Sequence, residues 1–148
     1  MWHSNRFIPK EFWNQDWGIV NIRRKKVGII MIKGNSEVLV TQSYHRCYGF
    51  PKGEKEKNES VEECAKREFL EEIGMNINKI NLKNLKQVRT MIEDVEYIYF
   101  IIHVPKDFEL LTFPIDDVEI TSFGWKRINQ LRFLNLSKAV KMIISKLN

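Results

Sequence analysis

The stretch YGFPKGEKEKNESVEECAKREFLEEIGM, Tyr48 to Met75, sets a glycine-bearing loop directly ahead of an acid-rich segment. From Ser60 the pattern is that of a helix. Ser60 with Glu63 three positions on makes a capping box, which satisfies orphan N–H groups at a helix start. Gly74 stands where a left-handed residue would stop the helix. With about 100° of rotation per residue, Glu68, Glu71 and Glu72 project within an arc of roughly 100° on one face. Like charges so placed repel by about 0.2–0.5 kcal/mol per pair. Glu71 and Glu72 also occupy the last turn, where the helix dipole disfavours anions. A solvated face, partly neutralised by Arg67, is the ordinary reading of such a helix. Acids kept despite both penalties point instead to a bound cation. Hard oxygen ligands without His or Cys suit Mg²⁺ or Mn²⁺, which also bind substrate phosphates.

Around this segment the chain reads as one domain of 148 residues, long enough to bury a core. Lys and Arg number 24 against 19 Asp and Glu, a net charge of +5 that tilts only weakly toward polyanionic partners. Cys47 and Cys64 are too few for a disulfide framework and lack metal-ligand spacing, which fits a reducing compartment. The N-terminal MWHSNRFIPKEFW has no apolar core of a signal peptide. No apolar run approaches the roughly 18 residues of a membrane span. The expectation is a soluble cytoplasmic protein with no membrane partner.

VGIIMI (27–32) and EVLVTQ (37–42) read as strands joined by a Gly34-Asn35 turn, with a loop from there to Lys57. VEYIYFIIHV (95–104), apolar on both faces and ended by Pro105, reads as a central strand. EITSFGW (119–125) is a further strand, and LSKAVKMIISKL (136–147) an amphipathic, basic closing helix. This order predicts an α/β sandwich with a mixed sheet. Residues 1–25 form an aromatic-rich leading segment with Trp2, Phe12, Trp13 and Trp17.

The upstream spacing overturns the solvated-face reading. From Gly53, five residues lead to Glu59, and seven more to Arg67-Glu68, then Phe69, Glu71-Glu72, Gly74 and apolar Met75. Residues 53–75 thus match G-x5-E-x7-R-E-U-x-E-E-x-G-U at every position, a chance event on the order of one in 10⁸ windows. The segment resembles the Nudix box, and the chain is identified by it as similar to Nudix hydrolases. The resemblance implies an α/β/α sandwich with a loop–helix–loop motif. It also implies cleavage of a nucleoside diphosphate linked to another moiety. It makes Glu68, Glu71 and Glu72 the ligands of Mg²⁺ or Mn²⁺, with the Gly53 carbonyl near the same ion. Glu59 and Arg67 become an ion pair that orients the loop, and Gly74 a structural member of the motif. Glu71, Glu72 and one acid outside the box would carry the catalysis. Glu119 is the first candidate for that acid, as ligand or base, with Glu93, Glu96, Asp116 and Asp117 as alternatives.

YGFPKGE followed by CAKREFLEEIG looks like the catalytic domain of the mRNA-decapping family, whose members carry W-G-F-P-K-G. Tyr48 replaces the Trp, and Glu54 replaces a common Lys. The similarity implies release of m⁷GDP from capped RNA, with dinucleoside polyphosphates, diphosphoinositol polyphosphates or nucleoside triphosphates as other substrates open to such a site. Lys52 would contact the phosphate chain, or be a surface lysine. Lys138 and Lys141, with Lys146, Lys126, Arg127 and Arg132, would help bind RNA, or form a solvated face. Tyr48 and Trp17, among Trp2, Phe12, Trp13 and Tyr44, are candidates to stack on a cap base, or pegs that dock the leading segment. Family members carry a helical regulatory domain ahead of the Nudix domain, where about 25 residues stand here, so a protein activator could supply that part.

Overall fold

The structure is a computed structural model in which residues 24–112 and 120–147 are described. Glu119, Asp116, Asp117, Trp2, Phe12, Trp13 and Trp17 lie outside the described residues, so their expected roles find no test in the geometry.

Among the described residues, seven strands form one mixed sheet: β1 (Arg24–Lys33), β2 (Glu37–Ser43), β3 (Tyr48–Gly49), β4 (Lys52–Glu54), β5 (Gln87–Ile92), β6 (Val95–Val104) and β7 (Ile120–Arg127). The main path runs β3-β2-β1-β6-β5, with β4 on β1 and β7 on β2. β1 and β6 pair in parallel from Arg24↔Val95 to Lys33↔Val104, so the apolar run of β6 is central as its composition predicts. Gly34 (φ 57°) and Asn35 (φ 60°) take the left-handed conformations of the tight turn between β1 and β2.

Strand alternation sends side chains to two faces. On one, Val27, Ile29, Met31, Ile98 and Phe100 pack against Cys64, Ala65, Phe69 and Ile73 of α1 (Val61–Ile73). On the other, Ile30, Ile32, Tyr99 and Ile101 meet Phe50, Leu131 and Leu136, with Val140 and Ile143 of α2 (Lys138–Ile143). Helices on both faces of a mixed sheet make the α/β sandwich expected from the sequence. No helix among the described residues is long and apolar enough to cross a membrane.

Two expectations shift in detail. The loop from Ser43 to Lys57 contains two short strands, β3 paired with β2 at Thr41↔Gly49 and β4 paired with β1 at Val27↔Gly53, where the bare Gly28 of β1 lets the Pro51-Lys52 backbone approach. The closing helix begins only after Ser137, whose side chain caps Val140 N–H at 3.4 Å, and passes into a 3-10 turn at Ile144–Leu147. Leu136 belongs instead to a bridge with Tyr48.

Candidate active site

Helix α1 is fixed at both ends by its own sequence. Ser60 Oγ accepts the Glu63 N–H at 3.0 Å, and Glu63 returns a bond to the Ser60 N–H at 2.8 Å. The Ser60 N–H first, and then the Ser60 hydroxyl, hold the Glu63 carboxyl below its ordinary range. At the far end Gly74 (φ 82°) closes the helix onto Leu70 O at 2.9 Å.

Strand β4 joins this helix to the sheet. Val27↔Gly53 and Gly28↔Lys52 are its register pairs on β1, so Gly53 faces α1 and the Lys52 side chain faces away. A Cβ on Gly53 would lie 1.9–2.2 Å from the Glu68 carboxylate atoms. The glycine is therefore the seat of that carboxylate. Next to it, the Lys52 N–H donates to Glu72 Oε1 at 3.0 Å. Glu72 is 6 % exposed, a carboxylate carried into the protein interior.

Arg67 organises the rim. Its Nε and Nη2 donate to the two oxygens of Glu59 at 3.0 and 2.7 Å, and Nη2 also reaches the Glu54 carbonyl at 3.1 Å. Its Nη1 donates to Glu68 at 2.7 Å and to Glu71 at 3.3 and 3.4 Å. The hydrogen bonds from Arg67 draw the Glu59 pKa down to about 2, against the opposing effect of burial. Glu59 in turn raises that of Arg67. Beneath the loop, burial pushes the Cys64 thiol up to about 12, and its Sγ lies 3.7 Å from the Gly53 carbonyl. That thiol is a neutral packing group rather than a nucleophile.

The donor chemistry fits a hard cation. Glu68 and Glu71 both converge on one positively charged nitrogen, and Gly53 leaves room for a carboxylate to approach the backbone. Glu72 stands apart from them, on the Lys52 amide. As placed, no set of three His, Cys, Asp or Glu side chains among the described residues is arranged to hold one metal ion.

A cleft of about 390 Å³ opens on the α2 side, lined by Arg24, Lys26, Lys52, Tyr97, Glu93 and Lys138, among others. It collects Lys52 and Lys138, two of the basic residues singled out from sequence, and adds Arg24 and Lys26, which were not. Their signal was alternation on β1, where residues 24, 26 and 28 share a face. Lys138 pairs with Glu93 at 3.2 Å, and Lys26 lies over the Tyr97 ring at 5.9 Å. Lys141 is exposed but does not line the cleft, and Tyr48 packs under Lys126, 5.6 Å from ring centre to Nζ. Of the described alternatives to Glu119, Glu96 is engaged by Lys25 and Arg89, and Glu93 by Lys138.

One group here had no sequence signal. Tyr99 on β6 is fully buried, with its ring edge-on to Phe50 at 5.5 Å. Among the described residues, its hydroxyl is the one buried side-chain polar atom without a hydrogen-bond partner. Leaving such a group unpaired costs about 1–3 kcal/mol. Burial, then Tyr97 and the negative charge of Glu72, push its pKa well above the usual phenol value.

A loop whose backbone is clamped onto a carboxylate helix through one arginine defines a class of enzyme, and the chain belongs to it: a NUDIX domain matches residues 22–145, making this a Nudix hydrolase. Members of the family act on polyphosphate substrates, generally with divalent metals such as Mg²⁺ or Mn²⁺. Particular relatives include hydrolase 111R of Invertebrate iridescent virus 3 (a provisional name), 28 % identical over 84 % of this chain and 71 % of its own length. The mRNA-decapping enzyme subunit 2 of Arabidopsis thaliana is 27 % identical over 64 % of this chain. The m7GpppN-mRNA hydrolase dcap-2 of Caenorhabditis elegans is 32 % identical over a similar share, 64 %. The chain spans 28 % and 12 % of the length of those two proteins. Among solved structures, the MutT NUDIX hydrolase of Burkholderia pseudomallei superposes with a TM-score of 0.66 at 19 % identity, covering 84 % of this chain and 98 % of that one. A C. elegans Ap4A hydrolase gives 0.62 at 15 % identity, covering 82 % and 93 %. At these identities the likeness is one of fold.

Proposed function

We propose that this Nudix hydrolase cleaves the 5′ cap of RNA, with water adding at phosphorus and one P–O–P link breaking, to release m⁷GDP and 5′-monophosphate RNA. The observation that carries this reading is the continuity of β4. Lys52 sends its amide to Glu72 and its side chain into a cleft with Arg24, Lys26 and Lys138. A substrate whose phosphates lie at Glu68, Glu71 and Glu72 can extend a polyanionic chain along those cations. The GFPKG loop and the relatives named as decapping enzymes support RNA as that chain.

In this reading Glu68, Glu71 and Glu72 hold Mg²⁺ or Mn²⁺, with the Gly53 carbonyl beside them. A bound divalent ion neutralises phosphate oxygens and lowers the pKa of an attacking water. The chain's own residues do the positioning. Arg67 holds Glu68 and Glu71 toward one point while Glu59 and the Glu54 carbonyl fix its guanidinium. The Lys52 amide orients Glu72. Lys52, with Lys138, neutralises the phosphate chain, and Glu119 is the acid assigned as base or further ligand. Lys141, Tyr48 and Trp17 are assigned to contacts with RNA and the cap base. A protein activator remains part of the proposal for the region ahead of the domain.

Cap-labelled RNA and a panel of dinucleoside polyphosphates, nucleoside triphosphates and diphosphoinositol polyphosphates, each with Mg²⁺ or Mn²⁺, test the substrate. Labelled m⁷GDP with little turnover of the panel supports decapping. Rapid turnover of a panel compound with inert capped RNA assigns the enzyme to small polyphosphates instead. Glu72→Gln should lower turnover at least about 100-fold with the fold intact, as loss of charge stabilisation at phosphate demands. A near-normal rate would remove Glu72 from the ligand set.

A further inference from the structure

Charge is unevenly spread along this chain. Residues 120–148 carry Lys126, Arg127, Arg132, Lys138, Lys141 and Lys146 with no Asp or Glu, whereas the whole chain has a net charge of only +5. Residues 38–53, with Arg46 and Lys52, are also free of acids. The two acid-free stretches meet in the fold. The Asn135 side-chain amide donates to the Arg46 carbonyl at 3.3 Å, and the Asn135 carbonyl accepts the Tyr48 N–H at 2.8 Å. The Ser137 N–H then donates to the Tyr48 carbonyl at 2.8 Å. A polyanion is the partner that such a surface suits.

Aromatic rings stand on both sides of this joint. Among the described residues, two large aromatic side chains are exposed, Tyr44 at 64 % and Phe133 at 74 %. Each lies two residues from the joint, Tyr44 from Arg46 and Phe133 from Asn135, and so within about 8 Å of it. The Tyr44 ring lies against that of His45, 4.0 Å between centres, and the Arg132 guanidinium sits 4.9 Å over the Phe133 ring. The turn that carries Tyr44 is tied at its base. The Ser43 N–H donates to the Cys47 carbonyl at 3.1 Å, and the Arg46 N–H to the Ser43 carbonyl at 2.8 Å. A single exposed ring is ordinary on a protein surface. Two of them flank one hydrogen-bonded joint here, each with a cation in its own segment and no acid in either stretch. That is the mixture of stacking surface and positive charge that holds single strands. The same surface runs on into the basic cleft, which Ser137 and Lys138 help to line.

We propose that the Ser43–Cys47 turn and the Arg132–Asn135 segment form a platform for the body of a single-stranded RNA. Its bases stack on Tyr44 and Phe133, while Arg46 and Arg132 meet its phosphates. The inference rests on the reading of the neighbouring cleft as the path of the RNA chain, and extends that path beyond the cleft. Ring and guanidinium planes accept any base, so the platform grips RNA without reading its sequence.

Binding of an uncapped 5′-monophosphate RNA of about 12 nucleotides, followed by fluorescence anisotropy, separates this surface from cap chemistry. Tyr44→Ala combined with Phe133→Ala should weaken binding at least about fivefold. The slope of log affinity against log salt should stay unchanged in that variant, because stacking releases no counterions. Arg46→Gln combined with Arg132→Gln should make the slope shallower by about 1.4, at about 0.7 per phosphate contact. Inorganic polyphosphate, which offers charge without bases, should bind the aromatic variant within about twofold of the unmodified protein. A loss of RNA affinity below about fivefold in the aromatic variant, an equal loss toward polyphosphate, or an unchanged slope in the arginine variant overturns the assignment. An unmodified protein that does not bind this RNA at low salt overturns it as well, and gives the exposed rings to a protein partner. Release of m⁷GDP judges the substrate reading separately. Cap removal alongside undiminished RNA binding by the aromatic variant sinks the platform alone. Turnover confined to small polyphosphates, with the RNA dependences intact, sinks decapping alone.

Discussion

The most direct test of how the catalytic loop is held is Glu59→Gln. Gln keeps the shape of Glu59 but offers Arg67 one carbonyl oxygen where the carboxylate offers two at 3.0 and 2.7 Å. The pKa of Glu59 falls from 4.5 to about 2 in the fold, chiefly through hydrogen bonds from Arg67. At full weight that depression corresponds to about 3 kcal/mol. The pair lies at the rim, with side chains 13 % and 28 % exposed, and screening reduces the figure to about 1–2 kcal/mol. The sign follows from the depressed value: the carboxylate stabilises the fold fully above pH 4.5 and loses that contribution as pH falls toward 2. Urea unfolding of both proteins should therefore show a gap of about 1–2 kcal/mol at pH 7, shrinking at pH 3 to about two-fifths of that. A gap that is constant from pH 7 to pH 3 would refute the ion-pair account, since a purely steric defect has no such titration.

Two other changes probe the same assembly. Gly28→Ala and Gly53→Ala should part company, because the obstacle is the Pro51 backbone in the first case and the end of the Glu68 side chain in the second. Thermal melts should show Gly28→Ala destabilised by about 2 kcal/mol or more, as forced overpacking against backbone demands. Gly53→Ala should melt within a few degrees of the parent but lose at least about tenfold in metal-dependent turnover, the Glu68 carboxylate having left its seat. Arg67→Lys keeps the charge but cannot span Glu59, Glu68, Glu71 and the Glu54 carbonyl from one ammonium. Its turnover should fall about tenfold with retained secondary structure by circular dichroism.

Much of the motif was legible because its signals are local. Ser60, Glu63 and Gly74 bound a helix through contacts three or four residues long, and Glu59 lies two turns from Arg67 on the same segment. The strand at 95–104 announced its central place by being apolar on both faces. What escaped was set by distant partners. β4 is three residues long and exists because β1 presents Val27 and Gly28 to it. The turn between β5 and β6 uses Glu93 and Asp94 at φ 48° and 66°, without the glycine that usually marks such a conformation. The likeness of Glu68, Glu71 and Glu72 on a helical wheel concealed their different surroundings. Glu71 has a side chain 53 % exposed, whereas Glu72 is interior because Lys52, twenty positions earlier in the chain, offers it a hydrogen bond.

Strand β4 also limits how the loop can change length. Its alternation places Gly53 toward α1 and the Lys52 side chain toward the cleft, so inserting or deleting one residue between Phe50 and Gly53 would exchange the two faces. A lysine side chain would then press on the Glu68 carboxylate, and the cleft would lose a cation. Beyond Glu54 the exposed residues Glu56, Lys57 and Asn58 tolerate changes of identity rather than of number. From there Glu59 must return to Arg67, and its Oε1 also accepts the Glu56 N–H at 2.9 Å. The spacing from Gly53 to Glu59 is thus a ruler: it measures the distance from a β-ladder to a guanidinium, and diversification of the enzyme is channelled to the walls of the cleft.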